Sequence, residues 1–266
     1  MSLFQAIIIA IIEGITEFLP ISSTAHMKFA NPLIGVHTSA FTDLFEIVIQ
    51  LAAILSVVVL YYKRFFDFKK IGFYVKLIIA LIPAVIAGVI LKKHIDALLG
   101  NILFIAVVMI AGGIILLFID KLFTRPRIYS QDEVSNKNAF VIGCFQVLSI
   151  LFPGLSRSAA TIIGGLAEKL DRRTAAEFSF FLAVPTMLAA SVKSFYDVHK
   201  TNPEVFVKDN MFLLAVGSLV AFVVALLAIR FFITYLQRHG FKLFGYYRIL
   251  AGSLIIFLVW KGIIHQ

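Results

Sequence analysis

The chain has 266 residues, 61% of them hydrophobic and only 15% charged, with a mean hydropathy of +0.98. A soluble domain carries about a quarter of charged residues, so water is excluded as the main solvent. The net charge of +9 does not point to nucleic acid: the basic residues form short clusters between apolar runs, such as Lys63, Arg64, Lys69, Lys70 and Lys76, a pattern that sets membrane topology and meets anionic lipid heads.

The N-terminal run has no basic region, and Glu13 interrupts it before any small-residue cleavage site, so the N-terminus is expected to stay on the mature protein. A short apolar piece over 3–12, a Pro- and Ser-rich break over 19–24 and a second short piece over 25–34 come first. Ten helical residues span about 15 Å, half of a bilayer core. Such a pair can enter and leave on one side as a re-entrant hairpin, provided protein or a wet cavity surrounds its irregular tip. Three longer segments follow at 43–62, 74–91 and 102–119.

The plan then repeats. Setting Pro20 against Pro153 places 13–23 against 146–156 and Ser23 opposite Ser156, while 110–117 resembles 250–257. A second hairpin is followed by long segments at 174–192, 211–233 and 247–264. The reading is an all-α polytopic protein with six transmembrane helices and two re-entrant helical hairpins. It forms one membrane domain over 1–266, made of repeat 1 (about 1–122) and repeat 2 (about 138–266). Three crossings per half is an odd number, so the repeat is of inverted topology, as in many transporters.

Basic residues orient it. Fifteen fall on one side: Lys63, Arg64, Lys69, Lys70, Lys76, Lys121, Arg125, Arg127, Lys137, Lys169, Arg172, Arg173, Arg238, Lys242 and Arg248. Seven fall on the other: Lys28, Lys92, Lys93, Lys193, Lys200, Lys208 and Lys261. The positive-inside rule makes the first side cytoplasmic and puts both termini and the first hairpin outside.

Polar residues inside apolar segments are by default functional. Glu13 and Glu17 share one helix face, and two hard carboxylates suit Mg²⁺ or Ca²⁺. A structural alternative is a protonated or cation-paired Glu. Ser22, Ser23, Thr24 and His26 follow Pro20 and supply a nucleophile, hydroxyls and a proton carrier, or simply a capped turn. In the second hairpin, Arg157 lies among Ser156, Ser158 and Thr161. Its guanidinium suits bidentate phosphate binding or pairing with Glu13 or Glu17. Ser156 or Ser158 is expected to cap a helix whose N–H groups favour anions.

Glu46 and Gln50 form another four-spaced pair that either lines the same cavity or bonds between helices. Pro83 and Pro185 are expected to kink helices. His37, His94, His199 and His239 are expected to be solvated, as are Glu168, Asp171, Arg172 and Arg173 in a charged turn. The lone Cys144 excludes an internal disulfide and is expected to pack as a small residue.

At 13–26, at 153–161 and in the stretch from Phe45 through Gln50, the sequence resembles bacterial undecaprenyl pyrophosphate phosphatases of the bacitracin-resistance type. Ala25, Ala159 and Leu155 depart from the family's pattern. The resemblance implies hydrolysis of undecaprenyl diphosphate at the outer face of the inner membrane with a divalent cation, recycling the cell-wall lipid carrier. It implies that Glu13 and Glu17 are the acidic motif, with Glu17, Ser23, His26 and Arg157 catalytic. Ser22, Thr24, Ser156, Arg157, Ser158 and Thr161 would hold the substrate. Ser23, His26 and a metal-bound water remain alternative attacking groups. Expected partners are the polyprenyl diphosphate and membrane lipids, without nucleic acid, and a homo-oligomer is left open. A lipid-phosphate transporter using the same cleft is the rival from another class. The other lipid-phosphatase class needs His six residues after Arg157, where Ile163 stands.

Overall fold

A computed structural model describes residues 1–264, without the side chains of Lys92, Lys93, His94 and Asp96. The charges of Lys92 and Lys93 and the expected solvation of His94 therefore lie outside what is described. Among those described, every regular element is helical, apart from one isolated bridge between Ile128 and Leu170.

Six helices are long and apolar enough to cross a bilayer, which makes this a multi-pass membrane protein. They are α3 (Ala40–Leu60), α5 (Ile71–Ile90), α7 (Ile102–Leu122), α10 (Arg172–Thr201), α11 (Lys208–His239) and α12 (Lys242–Trp260). They match the six expected segments, but α10 and α11 run well past the apolar stretches because polar turns continue the helix into water. Pro83 and Pro185 lie inside α5 and α10, which continue through them. Short helices α4 (Tyr62–Phe65) and α6 (Lys92–Leu99) link the spans of the first half.

The remaining helices form two pairs: α1 (Leu3–Thr16) with α2 (Ser23–Leu33), and α8 (Asn136–Leu151) with α9 (Arg157–Ala167). Both pairs open on a capping box, Ser2 with Gln5 and Ser135 with Asn138, which satisfies helix N–H groups that otherwise lack partners. The same two amides also close each pair into a hairpin. Gln5 Nε2 donates to the Ile34 carbonyl at 2.9 Å, and Asn138 Nδ2 donates to Glu168 Oε2 at 2.7 Å. The start of each first helix thus lies beside the end of the second.

Packing exchanges the halves: α1 lies along α11, and α8 along α5. Hydrocarbon gives little drive for helices to associate, so close backbone approach decides these contacts. Gly143 of α8 faces the Ala80 carbonyl of α5, and a Cβ on Gly14 of α1 would stand 2.8 Å from the Ala221 carbonyl of α11. Because α8 turns Gly143 toward α5, Cys144 is exposed, contrary to the packed position expected for it.

The basic clusters gather at one end of the bundle. Arg64 and Lys70 pair with Asp132, Lys76 Nζ reaches the Gln131 and Asp132 carbonyls, and Arg172 pairs with Asp120. The charged turn after α9 is therefore bonded rather than merely solvated: Asp171 caps α10, Arg173 pairs with Glu177 and Glu168 closes the hairpin. His37, His199 and His239 are exposed, as expected. Arg248 is not at this end. It is wholly buried, so it leaves the cytoplasmic count.

Candidate functional site: two hairpin tips facing one cavity

The tips meet inside the bundle. Ser158 Oγ donates to the Leu19 carbonyl at 2.9 Å, joining the second tip to the first. Ser22 and Ser156 cap α2 and α9, and both adopt left-handed backbone, with φ of 71° and 75°. For a residue with a Cβ this conformation costs about 1–3 kcal/mol, a strain that clusters at functional sites.

The two tips differ in length by one residue. Pro20 is followed by Ile21 and then Ser22, whereas Pro153 is followed by Gly154, Leu155 and then Ser156. The second tip is longer by one, so Ser22 matches Ser156 and Ser23 matches Arg157. Ser23 and Arg157 are each the first residue of their helix. Gly154, at φ 100°, accommodates the longer turn of the second tip.

Both helix starts face a cavity of about 330 Å³, lined by Glu17, Ser22, Ser23 and Thr24 from the first hairpin and Ser156 and Arg157 from the second. The first N–H groups of α2 and α9 have no intrahelical acceptor, and the helix dipoles add positive potential there. The remaining wall includes Gln50 and Gln146, with Gly88, Ile95 and Leu99 on its apolar side.

Glu17 is the hub. Its Oε2 accepts from Ser23 Oγ at 2.6 Å and from Gln50 Nε2 at 3.2 Å, and its Oε1 pairs with Arg157 at 2.9 Å. Arg157 also donates to the Ser179 carbonyl at 3.1 Å, which aims the guanidinium across the cavity. Of the two acids offered as partners for Arg157, the structure selects Glu17. Gln50 joins the cavity, whereas Glu46 accepts from Asn31 at 2.5 Å.

Other residues take different places. His26 is 4% exposed and does not reach Ser23: Nδ1 contacts the Ser22 carbonyl and Nε2 the Tyr247 hydroxyl, both at 2.7 Å, with the two rings stacked. Ser158 is spent on Leu19 and Ser156, and Thr161 on Arg157, Ser158 and Ser179. Ser158 ties the second tip to the first, Thr161 ties α9 to α10, and neither is among the groups that line the cavity. Sequence reasoning missed Ser179, Tyr247, Ser149 and Thr186. Gln146 had a visible signal, because setting Pro20 against Pro153 places it opposite Glu13.

Glu13 tests the fit of a divalent cation. It is wholly buried beside Glu17, and neither carboxylate oxygen meets a hydrogen-bond donor. A buried carboxyl in that state needs a proton or a cation. Among the described residues no three His, Cys, Asp or Glu side chains form a self-sufficient cage. Glu13 with Glu17 fits the sparse protein ligation of a cation completed by phosphate oxygens, as Mg²⁺ commonly is.

A family model described as bacitracin resistance protein BacA matches residues 6–254. The chain is similar to the undecaprenyl-diphosphatase of Porphyromonas gingivalis, at 49% identity over 99% of both chains. It is also similar to that of Flavobacterium johnsoniae, at 52% over 97% of this chain and 96% of the relative, and to that of Bdellovibrio bacteriovorus, at 46% over 98% of both. With the match spanning nearly every element that builds the two tips, the chain belongs to the bacitracin resistance protein BacA family.

Proposed function

We propose that this protein hydrolyses undecaprenyl diphosphate to undecaprenyl phosphate and inorganic phosphate. One observation carries the reading: Ser23 donates to a carboxylate whose other oxygen is held by Arg157, at a cavity where two helix N-termini meet. A hydroxyl with a base, a guanidinium fork and exposed N–H groups are what phosphoryl transfer needs.

The diphosphate enters between the tips while the prenyl tail stays among apolar groups. Arg157 leaves Glu17 for the phosphate oxygens and neutralises them. Glu17, now free of its partner, takes the Ser23 proton as Oγ attacks the terminal phosphorus. The bond from that phosphorus to the bridging oxygen breaks, and undecaprenyl phosphate leaves with the electron pair and accepts the proton from Glu17. Water then attacks the phosphoserine, giving its proton to Glu17, which returns it to the departing Ser23 oxygen. Glu13 and Glu17 would hold a divalent cation, which when bound supplies charge neutralisation at the phosphates. Ser22, Thr24 and Ser156 offer further contacts to phosphate oxygens. His26 supports the first tip through the Ser22 carbonyl.

The two halves form an inverted repeat of about 1–122 and 138–266, with both hairpins re-entrant in the bacterial inner membrane. The Arg64, Lys70 and Arg172 end is cytoplasmic by the positive-inside rule. Gly88, Ile95 and Leu99 carry the cavity toward the opposite end of α5, so the site and both termini face outward. This placement suits recycling of the cell-wall lipid carrier and resistance to bacitracin.

The test is phosphate release from undecaprenyl diphosphate by the detergent-purified protein with Mg²⁺ or Ca²⁺, beside Arg157→Ala. Release by the wild type and its loss in the variant are expected. No release from folded wild type overturns the reading, and transfer of lipid phosphate between leaflets without hydrolysis favours the transporter.

A further inference from the structure

Among the described residues Arg248 is the largest fully buried side chain, at 0% exposure inside the helix bundle. Among the described residues no carboxylate pairs with it; it donates instead to four carbonyls. Nε reaches Met109 at 3.0 Å, Nη1 reaches Pro20 at 3.0 Å and Leu155 at 2.7 Å, and Nη2 reaches Gly154 at 2.9 Å. Three of those carbonyls belong to the two hairpin tips, and the fourth to α7.

A cation without a counter-charge is costly to bury, and a packed apolar side chain would serve the bundle better. The molecule makes room for it nonetheless. A Cβ on Gly112 of α7 would collide with the guanidinium, and one on Gly113 would stand 2.9 Å from the Arg248 Cβ. The neighbouring Tyr247 meets His26 of α2, so consecutive residues of α12 touch both sides of the first tip.

We infer that Arg248 is a positioning residue: its guanidinium pins the carbonyls of Pro20, Gly154 and Leu155 to one another and so fixes Ser23 opposite Arg157. Pro20 lies three residues before Ser23, and Gly154 and Leu155 lie three and two before Arg157. Holding those carbonyls sets where the first residue of each following helix stands. The planar fork is essential, because a lysine ammonium cannot span carbonyls from two hairpins in one plane. Both tips carry left-handed serines, and a strained turn persists only where its surroundings over-determine it.

The inference rests on the phosphatase reading only for its kinetic readout. Wild type, Arg248→Lys and Gly112→Ala of the full chain are compared in detergent by hydrogen exchange and by steady-state kinetics. In Gly112→Ala the new methyl displaces the guanidinium without removing any group of the site. Both variants are expected to exchange at least about 10-fold faster at 18–23 and at 152–157 together, with α3 and α10 unchanged. Their kcat is expected to fall about 100-fold, as for a misplacement near 1 Å, with KM within about threefold.

If Gly112→Ala keeps wild-type exchange at both tips, the inference is overturned, whatever becomes of Arg248→Lys. Faster exchange along α7 and α12 with both tips unchanged overturns it too, since Arg248 would then serve helix packing alone. Wild type that releases no phosphate overturns the phosphatase reading, while exchange at the tips still decides the role of Arg248.

Discussion

Ser23 and Glu17 are joined by a 2.6 Å hydrogen bond, with the serine hydroxyl donating to a carboxylate that is itself held by Arg157. In the proposed reaction this bond makes the carboxylate, rather than the imidazole of His26, the proton acceptor for Ser23. Ser23→Ala is expected to lower kcat by about 1,000-fold or more, because attack and its base act as a unit. Glu17→Gln keeps the shape, cannot accept the proton, and is expected to fall as far. Single-turnover reactions with labelled substrate should trap phosphoserine in the wild type and none in Ser23→Ala. Full activity in Ser23→Ala would remove the serine from the reaction and leave activated water as the attacking group.

His26 bridges the Ser22 carbonyl and the Tyr247 hydroxyl, so its expected contribution is structural. His26→Ala should lower kcat by loosening the tip, and adding Tyr247→Phe should cost little more, because both changes break the same link. The check is a double-mutant cycle on kcat. Fully multiplied losses, or an acid-labile phosphohistidine in single-turnover samples, would make His26 an independent participant.

The legible features were those written in local pattern. Six apolar runs gave six spans. Glu13, Glu17, Ser23 and Arg157 stood out because polar groups in apolar segments need a reason. Arg248 escaped because its segment was begun at 247, which left the charge at a supposed membrane edge. The helix begins at Lys242 and carries Arg248 two turns into the bundle. For Ser158 and Thr161, offered as substrate ligands, hydroxyl content alone cannot say whether a bond is made inside the protein, as both make here.

The rim of basic clusters gives a pH test away from the site. The hydrogen bond from Arg64 holds the exposed Asp132 carboxyl below its ordinary range, with Lys70 adding to the effect. A group with a depressed folded pKa adds stability above its unfolded pKa and loses it as pH falls through the folded value. With Asp132 62% exposed, solvent screening limits the pair to about 0–1 kcal/mol. Asp132→Asn should therefore melt slightly earlier than wild type at pH 7, with the gap closing as the pH falls and the carboxylate takes up its proton, and closing also in high salt. Thermal unfolding followed by intrinsic fluorescence in detergent reads this. A gap that persists unchanged at acid pH would show that the carboxylate charge is not its source.

Helix contact rather than chemistry is at stake at Gly143, whose Cα faces the Ala80 carbonyl where α8 crosses α5. Gly143→Val must push α8 away from α5, and overpacking of this kind costs about 1–3 kcal/mol. The second tip hangs from α8, so the variant should melt earlier and also raise KM as Arg157 recedes. Measured together, melting and KM separate this from a change at the site, which would move KM alone.

Glu13 offers the sharpest test of the cation. Its two oxygens are buried without a donor, next to the Glu17 carboxylate. Glu13→Gln removes one charge from the pair while keeping its volume. If the pair holds a divalent ion, the Mg²⁺ or Ca²⁺ needed for half-maximal activity should rise by about 10-fold or more, since even residues outside the ligand set cost that much. Binding of Mn²⁺ followed by electron paramagnetic resonance gives a readout independent of turnover, and there the variant should bind more weakly by a similar factor. Glu46→Gln is the control, because Glu46 already has Asn31 as its donor. Equal Mn²⁺ binding by wild type and Glu13→Gln would mean that a proton, not a metal, answers the charge of Glu13.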